Sequence, residues 1–156
     1  MPASLQGTRQ RAAAVAVAAS RTLTQQPPQS RPTTILIVDD EDVCRITMKW
    51  FLANFGFIVA PARSAEDALA QFDPETHDII VTDNDMPGLT GAELAHVIKL
   101  RSPSTPVIMY TGLPPADTSC LDALIHKPAH LLQLKEAIDQ VRGLRSEGEE
   151  AGPRDH

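Results

Sequence analysis

The sequence is short of several residue types that would define a specialised class of protein. Its 156 residues include only two cysteines, Cys44 and Cys120, which are too few for a disulfide framework and are not spaced as zinc ligands. We interpret both as reduced packing residues of a cytoplasmic protein. No segment approaches the roughly 20 consecutive apolar residues that a membrane-spanning helix needs, so no membrane association is expected.

Acidic residues are absent from the first 38 positions, which contain four of the 14 basic residues. The other ten basic residues and all 20 acidic ones follow from Asp39 onward. A folded part with such an excess of acid lacks the clustered basic face that binds nucleic-acid phosphates. Direct contact with nucleic acid is therefore not expected, and metal cations are the more suitable ligands.

Composition divides the chain into three parts, of which only the middle one is expected to fold. Residues 1–32 combine an Ala- and Val-rich run at 12–19 with a polar, Pro-rich stretch, and we predict a disordered N-terminal extension. The run shares features with a signal peptide or a transit peptide, but it lacks Leu, Ile and Phe, and a loosely ordered extension or a misplaced start codon explains it better. Residues 33–142 are predicted to form one domain, and residues 143–156 a disordered acidic tail.

Five short apolar runs predict β-strands, at residues 35–38, 57–60, 79–81, 107–110 and 124–125. Most are continuous rather than alternating, which is typical of strands buried on both faces of a parallel sheet. Apolar residues at helical spacing lie between and after the runs: Val43, Ile46, Trp50 and Phe51; Ala65, Ala68, Leu69 and Phe72 behind an N-cap at Ser64; Leu94, Val97 and Ile98; and Leu131, Leu134, Ile138 and Val141. Strands alternating with helices indicate a doubly wound α/β fold.

Polar side chains follow the predicted strands at their carboxyl ends, where doubly wound folds bind ligands. Asp39 and Asp40 come after the first strand and Asp83 after the third, while Thr111 and Lys127 end the fourth and fifth. Three carboxylates at one edge would repel one another unless a cation lay among them, and Mg²⁺ suits such oxygen ligands. Taken singly, each residue also fits a solvated turn. Their shared position at strand ends favours a phosphoryl-binding pocket.

Four sequence motifs resemble the receiver domain of two-component response regulators. They are ILIVDDE, HDIIVTDNDMPGLTGAEL, PVIMYTG and HKP, in that order. Each motif alone is weak, but four in the family's order at strand ends form a specific signal. The resemblance covers residues 33–142 and implies a flavodoxin-like, five-stranded parallel sheet in the order 2-1-3-4-5, with helices on both faces.

The resemblance also implies a role for each residue that matches a motif. Asp83 would accept a phosphoryl group from a histidine kinase or a histidine phosphotransfer protein. The remaining implied roles are Mg²⁺ binding by Asp39, Asp40, Asp83 and the backbone carbonyl of Asp85, phosphoryl binding by Thr111 and Lys127, and a cis peptide bond between Lys127 and Pro128. The partner on the output side would be a downstream protein.

Two of the sequence's departures from the family bear on how the protein would switch. Thr111 and Lys127 are 16 positions apart, whereas the family leaves about 22, so roughly 9 Å of helix is missing at 1.5 Å per residue. We predict a fourth helix that is short or absent. Leu124 stands where the family usually has the aromatic residue that moves with the threonine, and Tyr110 is a candidate for a related role. Thr111, Tyr110 and Leu124 are therefore the switch candidates.

Three functions remain in competition at this point. The leading one is a single-domain response regulator, without enzymatic activity beyond its own phosphorylation and dephosphorylation, that signals by phosphorylation-dependent partner binding or phosphorelay. The alternative is a receiver-like interaction scaffold without phosphorylation-driven switching. A third arises because Asp83, Asn84 and Asp85 spell the D-x-D of haloacid-dehalogenase-type phosphatases. The order along the chain disfavours the phosphatase, because in those enzymes the nucleophile follows the first strand, whereas Asp83 follows the third.

Overall fold

The computed structural model describes residues 31–150, so residues 1–30 of the predicted extension and residues 151–156 of the predicted tail lie outside the described residues. The strands are β1 (Thr34–Val38), β2 (Ile58–Ala62), β3 (Ile79–Thr82), β4 (Val107–Thr111) and β5 (Ala123–His126). The helices are α1 (Asp42–Ala53), α2 (Ala65–Gln71), α3 (Gly91–Arg101) and α4 (Leu131–Glu150). Each strand overlaps one of the five predicted runs.

The strands form one parallel sheet in the order β2-β1-β3-β4-β5. β1, β3 and β4 are buried along their whole length, whereas the edge strands β2 and β5 are partly exposed. The predicted doubly wound fold and its strand order are confirmed. The winding reverses between β1 and β3, so the carboxyl ends of these two neighbours open the crevice in which such folds bind ligands.

Side chains that alternate along the strands divide the core into two layers. Ile35 and Ile37 of β1 pack with α1 and α4, whereas Leu36 and Val38 pack with α2 and α3. Because helices cover both faces, every position of the central strands is buried, and this explains why their sequences are continuous apolar runs.

Side-chain caps begin two of the helices. The hydroxyl of Ser64 accepts a hydrogen bond from the Asp67 backbone N–H at 3.0 Å, as the N-cap prediction requires. At the start of α3, Thr90 and Glu93 form a reciprocal capping box. These bonds satisfy backbone donors that a helix leaves unpaired in its first turn, and they fix where α2 and α3 leave the sheet edge.

Of the four apolar residues predicted to share one face of α1, only Phe51 packs against the core. Val43, Ile46 and Trp50 are 76%, 50% and 70% exposed, and the residues buried instead are Arg45, Met48 and Leu52. The guanidinium of Arg45 donates to the Asp39 backbone carbonyl at 2.8 Å and pairs with Asp42. Because the charge of Arg45 is paired there, its aliphatic stem can occupy a core position. The buried face of α1 therefore includes a charged residue, and a pattern of apolar residues alone does not reveal it.

Helix α4 is described as far as Glu150, which lies beyond the domain boundary predicted at residue 142. The tail predicted to be disordered from residue 143 therefore begins, within the described residues, as helix. Gly143 lies within this helix. A glycine inside a helix costs only about 1 kcal/mol relative to alanine, which neighbouring helix-forming residues can offset.

No helix lies between β4 and β5 in the described part of the chain, which confirms the prediction of a short or absent fourth helix. Residues 112–122 connect the two strands directly, and the two prolines at 114 and 115 disfavour helix there. Asp122 anchors the end of this connection by accepting hydrogen bonds from the Val107 backbone N–H at 2.8 Å and from Lys99 Nζ at 2.7 Å. Lys99 Nζ also donates to the Thr105 carbonyl.

Candidate functional site

Three carboxylates meet at the carboxyl ends of β1 and β3. Val38 and Thr82 are register partners in these adjacent strands, so Asp39 and Asp83, one residue further on, emerge side by side. Asp39, Asp40 and Asp83 each offer an oxygen atom, and these oxygens lie within 4.8 Å of one another. The Asp39 side chain is fully buried and that of Asp83 is 11% exposed. The structure thus brings together the three predicted acidic residues.

Lys127 extends from the end of β5 toward these carboxylates. Its Nζ lies 3.3 Å from Asp39 Oδ2 and 3.4 Å from Asp83 Oδ2, and 5.2 Å from the centre of the Tyr110 ring. The Lys127–Pro128 peptide bond is cis. The ammonium therefore pairs with two of the three carboxylates, and the four groups together carry a charge of −2 when all are ionised.

Burial and charge shift the pKa values of two groups at the site. Burial raises the pKa of Asp39, although the Glu41 backbone N–H and the charge of Lys127 act in the opposite direction. Burial opposes the charge on Lys127, but the carboxylates of Asp39 and Asp83 outweigh it and raise the pKa of Lys127. The ion pairs therefore keep Lys127 charged, but they do not fully offset the free energy that it costs to bury the ionised carboxylate of Asp39. A divalent cation bound there would reduce that cost.

Thr111 ends β4 beside this cluster. Its side chain is fully buried, and its backbone carbonyl accepts a hydrogen bond from the Lys127 backbone N–H at 2.8 Å. Its hydroxyl accepts from the Leu113 backbone N–H at 3.1 Å and donates to the Leu113 carbonyl at 3.4 Å. The hydroxyl thus has a donor proton at the site's edge, now directed at a backbone carbonyl.

A glycine brings the start of α3 against the backbone of Asp83. A Cβ atom at Gly91 would lie 2.0 Å from the Asp83 carbonyl oxygen and 2.9 Å from the Asn84 Cα. No side chain fits at that distance, so Gly91 permits the close approach that seats the β3–α3 loop.

The comparison with known families agrees with this geometry. The family model described as "Response regulator receiver domain" matches residues 35–139. The chain belongs to this family. The match includes the ends of both strands that carry the carboxylates and the strand that precedes Lys127.

Curated proteins similar to this receiver domain are longer than it is. It is 31% identical over 128 residues to response regulator protein PilR of Pseudomonas aeruginosa, covering 78% of this chain and 28% of PilR. It is 35% identical over 80 residues to sensory transduction protein RegX3 of Mycobacterium tuberculosis, covering 51% of this chain and 35% of RegX3. The chain thus spans about a third or less of the length of these relatives.

This chain matches two solved structures with the same fold along nearly their full length. The response regulator TrrA of Thermotoga maritima, in complex with Mg²⁺ and BeF, has 27% identity and a TM-score of 0.66, with 70% of this chain and 98% of that chain covered. A CheY-like receiver domain protein of Methanospirillum hungatei has 28% identity and a TM-score of 0.69, with 74% and 98% covered. Within residues 31–150, no helix is long and apolar enough to cross a membrane.

The two remaining switch candidates lie on opposite faces of the receiver sheet. Tyr110 packs in the core layer of α1 and α4, and its hydroxyl donates to the Ala129 carbonyl at 2.9 Å. Ala123 and Ile125 of β5 pack against that same layer, so Leu124 between them points to the opposite face. The switch roles of both residues stay predictions, as does the ligand role of the Asp85 carbonyl.

Two residues that hold the receiver site in place were not predicted. Arg45 donates to the backbone carbonyl of Asp39, as described for α1. The Asn84 side chain accepts from the Ala92 backbone N–H and donates to the Leu113 carbonyl, both at 3.1 Å. No sequence signal marked either residue: Arg45 is charged and so does not register as a core position of α1, and Asn84 depends on how two loops meet in space.

Proposed function

We propose that this receiver domain is a phosphorylation switch whose acceptor is Asp83 and whose donor is a histidine kinase or a histidine phosphotransfer protein. The observation that supports this most directly is the cluster of Asp39, Asp40 and Asp83 facing Lys127. A carboxylate held beside an ammonium and two cation ligands is arranged to accept a phosphoryl group and to neutralise the charge that arrives with it.

The proposed transfer is an in-line displacement at phosphorus. A carboxylate oxygen of Asp83 forms the new P–O bond, the P–N bond to the donor imidazole breaks, and the imidazole leaves with the bonding electron pair and takes up a proton. The Asn84 backbone N–H, 2.7 Å from Asp83 Oδ1, orients the acceptor. Lys127 and the Thr111 hydroxyl are placed to bind the phosphoryl oxygens, and hydrolysis of the acyl phosphate by water ends the cycle.

Mg²⁺ fits the acidic cluster. Its donors are all oxygen atoms, and the two largely buried carboxylates, those of Asp39 and Asp83, share the ammonium of Lys127. We propose that Asp39, Asp40 and Asp83 hold the ion together with the Asp85 backbone carbonyl. When bound, Mg²⁺ would offset the negative charge of the carboxylates and of the phosphoryl oxygens. The Mg²⁺ in the TrrA complex supports this assignment.

The exposed apolar stripe of α1, defined by Val43, Ile46 and Trp50, is the surface we assign to the phosphodonor protein. Large exposed apolar side chains in one patch are typical of protein interaction sites. Val43 also lines a pocket together with Lys127 and Pro128. One end of the stripe therefore lies at the pocket that contains Lys127, which a protein carrying phosphohistidine must approach.

Intact mass measured after incubation with acetyl phosphate and Mg²⁺ tests this function. We expect one phosphoryl group on the parent, none on Asp83→Asn and none in a chelator. Asp139→Asn, which changes an exposed aspartate on α4, is the matched control and should be phosphorylated like the parent. A parent that binds Mg²⁺ but takes up no phosphoryl group from acetyl phosphate or from any histidine phosphodonor would contradict the proposal.

An interaction scaffold without switching is the second candidate, and the missing helix between β4 and β5 favours it because that region has lost an element that could move. Partner binding by Asp83→Asn and Asp83→Glu separates the two functions. The switch predicts that at least one variant differs from the parent in affinity, whereas the scaffold predicts equal affinities for all three. Multiple turnovers of a phosphate monoester, abolished by Asp83→Asn, would instead support the phosphatase hypothesis.

A further inference from the structure

Asn84 uses all four of its polar groups to join three parts of the structure. Its backbone N–H donates to Asp83 Oδ1 at 2.7 Å, and its backbone carbonyl accepts from the Gly91 N–H at 3.0 Å. Its side-chain Oδ1 accepts from the Ala92 N–H, and its Nδ2 donates to the Leu113 carbonyl, both at 3.1 Å. The residue thus links the acceptor aspartate, the first turn of α3 and the connection that follows β4.

The Leu113 backbone is shared between Asn84 and Thr111. The Thr111 hydroxyl accepts from the Leu113 N–H at 3.1 Å and donates, at the longer distance of 3.4 Å, to the same carbonyl that Asn84 Nδ2 holds. A carbonyl oxygen can accept two hydrogen bonds, so both donors are accommodated. The longer bond is the weaker one and is the easier to give up.

Binding of a phosphoryl oxygen changes this arrangement. The Thr111 hydroxyl has a single proton to donate, and donating it to a phosphoryl oxygen removes it from the Leu113 carbonyl. The carbonyl then depends on Asn84 Nδ2. Leu113 is the second residue of the connection 112–122, which has no helix of its own and would otherwise be free to shift independently of the site.

We infer that Asn84 is a positioning residue that couples phosphorylation of Asp83 to the connection 112–122 through the Leu113 backbone. This inference rests on the proposed function and assigns its output to a segment of this chain. The amide keeps Leu113 tied to the Asp83–Asn84 loop when Thr111 gives up its bond, so a change at the acceptor is passed on to residues 112–122. A loop without that bond would absorb the movement locally.

Residue-resolved amide exchange of the full chain, with and without acetyl phosphate and Mg²⁺, tests the coupling. In the parent we expect phosphorylation to change exchange at the Leu113 amide and at amides within 116–122 by about three- to tenfold, the size that corresponds to one hydrogen bond. In Asn84→Ala we expect these amides to exchange faster before phosphorylation and to respond less than twofold after it. Samples are compared at equal extents of phosphorylation, measured by intact mass.

Two further variants separate coupling from a loosened helix. Thr90→Ala removes the cap bond to Glu93 at the start of α3 without touching Leu113, and it should keep the parent's response. Thr111→Val should lose the response and Thr111→Ser should restore it. An Asn84→Ala protein that is phosphorylated and responds like the parent would overturn the inference, whereas a parent that takes up no phosphoryl group would overturn the proposed function instead.

Discussion

Replacing Asp39 by Asn should stabilise the protein when Mg²⁺ is absent. Asp39 is fully buried, and its oxygen lies within 4.8 Å of those of Asp40 and Asp83. Burial raises the pKa of Asp39 above its usual value, so ionisation of this group favours the unfolded chain. The destabilisation is present above that raised pKa and disappears as the pH falls through it. Asparagine keeps an acceptor for the Glu41 N–H and carries no charge.

Burial sets the sign of the effect, because it is the largest cause of the raised pKa of Asp39. The attraction of Lys127 across 3.3 Å acts in the opposite direction and offsets only part of the cost of burying the charge. Since burying an ionised carboxylate costs several kcal/mol before pairing, we expect Asp39→Asn to raise the free energy of unfolding by about 1–2 kcal/mol.

Urea unfolding, followed by circular dichroism in chelator and then in Mg²⁺, measures the difference in free energy of unfolding between Asp39→Asn and the parent under both conditions. The parent should gain about 2.7 kcal/mol at a Mg²⁺ concentration of 100 times its Kd, whereas Asp39→Asn should gain little. The order of stability therefore reverses on adding Mg²⁺. Asp139→Asn is the exposed control and should stay within about 0.5 kcal/mol of the parent. A variant less stable than the parent in chelator, or one that gains as much from Mg²⁺, would refute the reasoning.

Three further predictions follow from other parts of the structure. Gly91→Ala should lower the free energy of unfolding by about 2 kcal/mol or more, because the new Cβ would overlap the Asp83 carbonyl. Gly143→Ala should raise it by about 0.5–1 kcal/mol, because Gly143 lies in a helix and its Cβ would have no atom within 4 Å. Urea unfolding measures both changes. Ile46→Asp should lower the rate of phosphotransfer from a histidine phosphodonor protein at least tenfold relative to the rate from acetyl phosphate, and equal losses with both donors would contradict the docking assignment. As the pH is lowered from 7, the affinity for Mg²⁺ should begin to fall at a higher pH than it would if Asp39 had an ordinary aspartate pKa. The reason is that the raised pKa of Asp39 lets protons compete with Mg²⁺ for this carboxylate at that higher pH. A loss of affinity confined to the usual titration range of aspartate would contradict this.

The sheet and the acidic cluster were predictable because they depend on signals that are local in the sequence. A continuous apolar run marks a buried strand, and a charged residue at its end marks the edge of the sheet. Asp39 and Asp83 meet because β1 and β3 are neighbours, which the parallel winding order dictates. The absence of the fourth helix followed from the short interval between Thr111 and Lys127.

The features that the sequence did not predict depend on contacts between residues far apart in the chain or on the behaviour of a charged side chain in the core. The buried face of α1 was misassigned because Arg45 occupies a core position and finds its acceptor on the Asp39 backbone. Apolar periodicity cannot detect such a residue. The link from Asn84 to Leu113 spans 29 positions and joins two loops, so no periodic signal marks it.

The missing helix also makes the parts of the phosphoryl site unequal in stability. β5 is an edge strand whose apolar residues are only half-buried, and residues 112–122, which connect β4 to it, form no helix to cover that side of the sheet. Segments with few buried contacts open at a lower free energy than the rest of a protein. Lys127 follows directly after β5, whereas Asp39 and Asp83 follow the two central strands. We therefore expect the ammonium to leave the site through local opening of β5 while the carboxylates stay in place, so that the lifetime of the assembled site is set by the edge of the sheet and not by its core.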